Sequence, residues 1–318
     1  MSDRQGSSGV ALVTGASRGI GKVVAQYLAR AGYDVAITAR TVEEGEAREH
    51  SSTLKKSNTT PLPGSLSATA ALVEAEGRQA MMVPADLTDF ASLGAAVARV
   101  EERWGRIDVL VNNGRYIGPG HMDRILETPI DILDVHLKAN VLAILVLCKL
   151  VLPGMITRGG GTIVNITSAS GYADATKAAG DGGWGLGYGM SKAAMHRIAG
   201  FLAVEHGADG IRAYNVQPNL IATERIAADM GEFGVVGGAP ADVIGAVINW
   251  MLEHPDALRN CTNVEAQPLC HELGLLPDWP GPTPNEAPIQ YDLSGSEALR
   301  LENEIRERFG AETVPPVV

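Results

Sequence analysis

Aromatic side chains are scarce in this chain, cysteine is scarcer, and cationic residues are outnumbered by acidic ones. The 26 Lys and Arg against 37 Asp and Glu leave a net charge of −11 over 318 residues. A protein that grips nucleic-acid phosphates needs a basic face, so no nucleic-acid partner is expected. The three cysteines, Cys148, Cys261 and Cys270, include no CxxC pair and leave one over. That argues against a disulfide framework, and a reducing cytoplasmic setting is the expectation. Cys261, Cys270 and His271 fit no standard ligand spacing, and no metal site is expected. Met1 to Gly9 is polar, without the apolar stretch of a secretion signal. The longest apolar run, Val141 to Cys148, is far short of the ~20 residues that cross a bilayer, so no membrane partner is expected.

What remains is ordinary globular composition, 45% hydrophobic and 20% charged, in a chain long enough for a sizeable core. Short apolar runs alternate with helical patterns, which predicts an α/β fold: a doubly wound parallel sheet with helices on both faces. Strands are expected at Val10–Thr14, Asp34–Arg40, Ala80–Ala85, Ile107–Asn112, Thr162–Thr167 and Ile211–Val216. Helices are expected between them, including a long one capped by Thr128 and Pro129 that runs to Thr157 with a bend near Pro153. The polar stretch Thr41–Gly64 reads as a surface insertion, partly helical at its start. The repeating pattern makes residues 1–254 one domain. Residues 255–318 read as a C-terminal extension, with Pro277–Pro284 as an arm and Ser294–Phe309 as one more amphipathic helix.

Thr14-Gly15-Ala16-Ser17-Arg18-Gly19-Ile20-Gly21 follows a buried strand and opens a helix. Glycines there let the backbone approach a pyrophosphate, and the helix N-terminus favours negative charge. Dinucleotide binding is the expectation. The second strand ends at Ala39-Arg40, where an acidic residue would hold the ribose hydroxyls of NAD. Arg40 and Arg18 instead offer cations to a 2′-phosphate, so NADP is expected, with NAD as the alternative. Lys55 and Lys56 in the insertion are further candidate cations.

Tyr188-Gly189-Met190-Ser191-Lys192 places a tyrosine and a lysine four apart on one helical face. A free phenol titrates near ~10, and a neighbouring ammonium favours its ionised form, as acid–base work near neutrality requires. Upstream, the strand Gly161–Thr167 ends at Ser168, and parallel strand ends line the ligand crevice. With TGASRGIG, the Asp86-Leu87 pair, Asn112-Asn113, Ser168 and YGMSK in this order, the chain resembles the short-chain dehydrogenase/reductase family over residues 9 to 254. The resemblance implies a Rossmann-type fold and an oxidoreductase that interconverts a carbonyl and a secondary alcohol by hydride transfer. It implies Tyr188 as general acid/base, Ser168 as hydrogen-bond partner of the reacting oxygen, and Lys192 as holder of the nicotinamide ribose. Asn140 matches the asparagine that organises a relay water. Asp86 and Leu87 would flank the adenine, Asn112 and Gly114 the ribose side. Thr41 follows Arg40 at the adenosine end, and Pro218, Ile221 and Thr223 match the segment that contacts the carboxamide.

This sequence departs from the family pattern in places. Arg115 stands where a glycine is usual; it either pairs with an acidic substrate group, reshapes the pocket or faces solvent. Tyr214 and Asn219 replace an asparagine and a glycine, although asparagine tolerates the positive φ that glycine supplies. The loop Ala169–Gly187 is enlarged, and its Trp184 either stacks on substrate or packs the loop down. Met230 and Phe233 lie in a segment expected to form a lid, which points to an apolar ketone or alcohol as substrate. The resemblance further implies a homo-oligomer, dimer or tetramer, joined through the helices around Asn140 and Lys192, with Val141–Leu147 and Cys148 partly in the interface. A cofactor-binding regulator without turnover stays open, as do epimerisation and dehydration on the same fold. The four-residue Tyr–Lys spacing argues against enoyl reduction.

Overall fold

The computed structural model describes residues 8–282. Seven strands, β1 (Gly9–Thr14), β2 (Tyr33–Thr38), β3 (Ala80–Met82), β4 (Val109–Asn112), β5 (Gly161–Ile166), β6 (Ile211–Gln217) and β7 (Asn263–Glu265), form one sheet in the order β3-β2-β1-β4-β5-β6-β7. Every pairing is parallel. The order reverses direction after β3, which puts the crevice at the ends of β1 and β4.

Strand alternation sorts the core into two layers. Ala11 and Val13 of β1 face one layer, built with α1 (Gly19–Arg30), α2 (Leu66–Ala75) and α7 (Asp242–Glu253). Val10 and Leu12 face the other, built with α3 (Phe90–Trp104), α5 (Ala143–Thr157) and α6 (Leu186–His206). Both faces are covered, as an all-parallel sheet requires. Asp89 caps α3 through Ala91 and Ser92 N–H, and Ser65 caps α2 through Ala68 N–H.

A row of asparagines, buried at Asn112, Asn165 and Asn215 and reaching the exposed Asn263 at the sheet edge, crosses the sheet where four strands pair in register. Asn112 Nδ2 donates to Asn165 Oδ1 at 3.0 Å, Asn165 to Asn215 at 3.3 Å, and Asn215 to Asn263 at 2.9 Å. A one-residue slip of any of these strands would bury unpaired amides, so the row pins the register.

The structure differs from sequence expectation at several points. α4 (Ile130–Leu137) is capped by Pro129 without a side-chain bond, while the Thr128 hydroxyl turns back to Arg124 O at 2.9 Å. A π-turn at Lys138–Leu142 joins α4 to α5. The continuous helix Ile130–Thr157 is long and apolar enough to cross a bilayer by length and composition, with mean hydropathy 2.2, which the contiguous-run criterion missed. Its most apolar stretch is 56% buried inside the fold, as befits a core helix.

The insertion 41–64 contains no helix. Glu46 accepts Val42 and Glu43 N–H, and Glu49 accepts Ser51 and Asn58 N–H, so side chains take the bonds a helix would use. After Pro255 the chain does not leave the sheet, because β7 pairs with β6 and α8 (Ala266–Glu272) packs on α7. Cys270 is buried in that layer. The expected helix Ser294–Phe309 lies outside the described residues.

Candidate active site

A cleft of about 410 Å³ opens over the glycine turn. Of the residues expected to bind a cofactor, Gly15, Ser17, Arg18, Gly19, Ile20, Arg40, Thr41, Asp86, Leu87, Gly114 and Thr223 line it. Gly15, at φ +64°, lies so near β4 that a Cβ would sit 2.6 Å from Gly114 Cα. Gly21 lies behind the turn instead: a Cβ there would stand 2.4 Å from Gly15 O, so its role is close helix approach. Asn113 stitches the turn to β4, its Nδ2 donating to Thr14 O and Gly15 O.

Five further expected cofactor contacts fall off the cleft lining, Tyr188 among them, which stands beside it against Arg115. Asn112 turns into the sheet as the first member of the asparagine row, and of the two residues only Gly114 lines the cleft. Ile221 is buried in the core, and Pro218 lies off the cleft wall with its carbonyl taken by Gln267 Nε2. Lys192 is 2% exposed and lies beneath Tyr188 rather than on the cleft wall. Asn219 does adopt positive φ, +54°, as glycine would.

The turn already receives an anion. Glu224 accepts Gly19 N–H at 2.9 Å and pairs with Lys22. Burial raises the Glu224 pKa, but bonds from Lys22 and backbone N–H groups outweigh it and hold the carboxyl below its usual range. A carboxylate held at the first residue of α1 is the stand-in that shows this N-terminus fits a pyrophosphate.

Of the two expected phosphate-binding arginines, only Arg40 keeps a loosely held guanidinium, 3.9 Å from Asp86 and partly exposed. Arg18 donates to the carbonyls of Leu62, Pro63 and Gly64, fastening the insertion to the turn. Lys55 and Lys56 pair with Glu127 and Glu232 away from the cleft. The insertion brings instead Arg48, paired with Glu46, and His50 to the cleft wall. No periodicity signals that placement, because the insertion is held by distant side chains: Arg225 donates to Ser52 Oγ and His50 O, and Thr53 donates to Asp123.

Beside the cleft, Lys192 Nζ lies 5.8 Å from the centre of the Tyr188 ring and donates to Ile166 O at 2.6 Å. Burial and the nearby Arg115 push the lysine pKa down to about 7. Tyr188 is flanked by His121 at 4.4 Å and Trp184 at 5.6 Å, ring centre to ring centre. Trp184 also packs with Met122, Met230 and Val235, closing the loop down while walling the tyrosine. The Ser168 hydroxyl pairs with Ser170 Oγ at 2.8 Å and accepts Ser170 N–H. Asn140, fully buried in the π-turn, accepts Tyr116 N–H at 2.6 Å and donates to Ser191 Oγ at 2.9 Å. Both ends of that amide therefore hold protein, tying the loop after β4 to the helix that carries Tyr188. His121 escaped sequence reading altogether, since nothing about one histidine in a loop marks it as a neighbour of the tyrosine.

The short chain dehydrogenase model matches residues 9–67 and 60–230. The chain belongs to the short-chain dehydrogenase family. This family member is 33% identical over 215 residues to the oxidoreductase UcpA of Salmonella typhimurium, covering 67% of this chain and 69% of that one. It is 34% identical over 220 residues to 2-(R)-hydroxypropyl-CoM dehydrogenase of Xanthobacter autotrophicus, covering 68% and 76%. A short-chain dehydrogenase/reductase structure from Burkholderia xenovorans superposes with TM-score 0.66 at 28% identity, covering 81% of this chain and 94% of the other. As a short-chain dehydrogenase with a Rossmann-type sheet, the protein belongs to an oxidoreductase family that uses NAD(P).

Proposed function

We propose that the protein is an NADP(H)-dependent carbonyl reductase or alcohol dehydrogenase with Tyr188 as general acid/base. The observation that carries this reading is Lys192 Nζ beneath the Tyr188 ring, beside a cleft whose floor is the glycine turn. NADPH, when bound, supplies the hydride that reduces the carbonyl carbon. The glycine turn and the start of α1 hold the pyrophosphate, Asp86 and Leu87 flank the adenine, and Arg40 with Thr41 meets the 2′-phosphate. Tyr188 gives its phenolic proton to the carbonyl oxygen, and takes it back in the oxidative direction. Ser168 turns its hydroxyl from Ser170 to the same oxygen and stabilises the charge that develops there. Lys192 lends positive charge beneath the phenol, and Asn140 positions the helix and loop between which the reacting groups meet.

A homo-oligomer built on α5 and α6 belongs to the same reading. Leu142, Leu145 and Leu150 on one helix, with Phe201 and Val204 on the other, are exposed apolar side chains, whereas Cys148 and Leu147 face the core. The decisive test is NADPH oxidation with a panel of ketones and aldehydes. Tyr188→Phe should lower kcat on any reduced substrate by roughly 10²–10⁴ while leaving NADPH binding intact. Wild-type turnover that survives the substitution would refute the assignment.

A further inference from the structure

Arg115 occupies a glycine position of the family pattern and brings a cation to the cleft wall beside the Tyr188 ring. A guanidinium carries five N–H donors. Those of Arg115 meet only Tyr116 O at 3.1 Å and His121 Nδ1 at 3.5 Å, and its carbon lies 5.5 Å from the centre of the Tyr188 ring. Neither acceptor is charged: burial, together with Arg115, Arg225, His136 and Lys192, holds the His121 pKa well below its ordinary value. Among the described residues no carboxylate pairs with Arg115. Of the other arginines on the cleft wall, Arg18 is held by three carbonyls, Arg48 by Glu46, and Arg225 by Ser52 and His50, while Arg40 stands loosely 3.9 Å from Asp86. Lys138 lies over the Phe90 ring at 5.4 Å.

A guanidinium half-withdrawn from water on a cleft wall and lacking a counter-charge is one that an incoming anion would neutralise. We propose that Arg115 binds an acidic group of the substrate, so that the protein acts on oxo acids and hydroxy acids whose carboxylate lies one or two carbons from the reacting carbon. This proposal rests on Tyr188 as the acid/base, because the guanidinium is placed by its contact with that ring. His121 accepts from the guanidinium and fixes its direction. The charge thus sets which carbonyl compounds are preferred.

The test compares 2-oxo and 3-oxo acids bearing an alkyl or aryl body with their methyl esters. NADPH oxidation is followed in wild type, Arg115→Gln and Arg115→Lys. A charge-assisted hydrogen bond is worth roughly 1.5–3 kcal/mol, so Arg115→Gln should reduce the acid-over-ester preference in kcat/KM by about 10- to 100-fold, mainly through KM. Arg115→Lys should recover part of that preference. An equal fall for acid and ester would overturn the proposal and assign Arg115 to Tyr188 itself. So would a weakened NADPH Kd by fluorescence with the acid preference retained, which would assign it to a cofactor phosphate. Calorimetric binding of the acids to the NADP⁺-saturated protein reads the contact without turnover. Catalytic failure on every substrate would thus refute the oxidoreductase reading, while the acid's Kd in wild type and Arg115→Gln still decides this one.

Discussion

Lys192 should make the folded protein less stable in neutral and acidic solution than its core would allow. Its ammonium is almost wholly withdrawn from water, and burial followed by Arg115 takes its pKa from 10.5 to about 7. Below about pH 7 the side chain is charged in both folded and unfolded chains, and the full cost of burying that charge is felt. Between about 7 and 10.5 the unfolded chain binds more protons than the folded one, so stability rises with pH across that window. At about 1.4 kcal/mol for each tenfold change in proton affinity, the displacement corresponds to about 5 kcal/mol. Lys192→Met removes this cost but strips Ile166 O of its donor, a loss of about 1–3 kcal/mol. The variant should therefore be more stable than wild type by about 2–4 kcal/mol at pH 6. The difference should shrink and then reverse as the pH approaches the upper end of the window. Urea denaturation of both proteins without cofactor, at intervals from pH 6 to 9.5, measures it. A difference that stays constant with pH, or a less stable variant at pH 6, would refute the reasoning.

Arg40→Asp should lower kcat/KM with NADPH by about 10- to 100-fold and spare NADH, since a charge-assisted phosphate contact is lost and repulsion added; equal losses with both cofactors would remove the basis for the NADP reading. Asn165→Ala leaves Asn112 Nδ2 and Asn215 Oδ1 in the buried row without their partner, and should destabilise the fold by about 2–4 kcal/mol in chemical denaturation. A change below 1 kcal/mol would show that water replaces the missing amide.

The sheet, the glycine turn and the Tyr188–Lys192 pair were legible because each is written in local pattern. Val10–Thr14 is a short apolar run, glycines must stand where backbones nearly touch, and a four-residue spacing stacks two side chains on a helix. β7 escaped because its three residues include a single apolar one, Val264, and only pairing with β6 makes them a strand. The polarity of the insertion marks it as a surface excursion. Yet His50, Ser51, Ser52 and Thr53 are buried, because their partners Arg225 and Asp123 come from remote parts of the chain. The direction of Asn112 is hidden for a related reason: it depends on strand register against Asn165, which only the assembled sheet establishes.

The asparagine row couples architecture to catalysis. Asn113 follows its first member directly, while Ser168 and Pro218 stand three residues beyond Asn165 and Asn215, so three of the crevice loops hang from one hydrogen-bonded crossbar. Damage to that crossbar would therefore surface first as misaligned reacting groups, in a protein whose layers of helices are still in place.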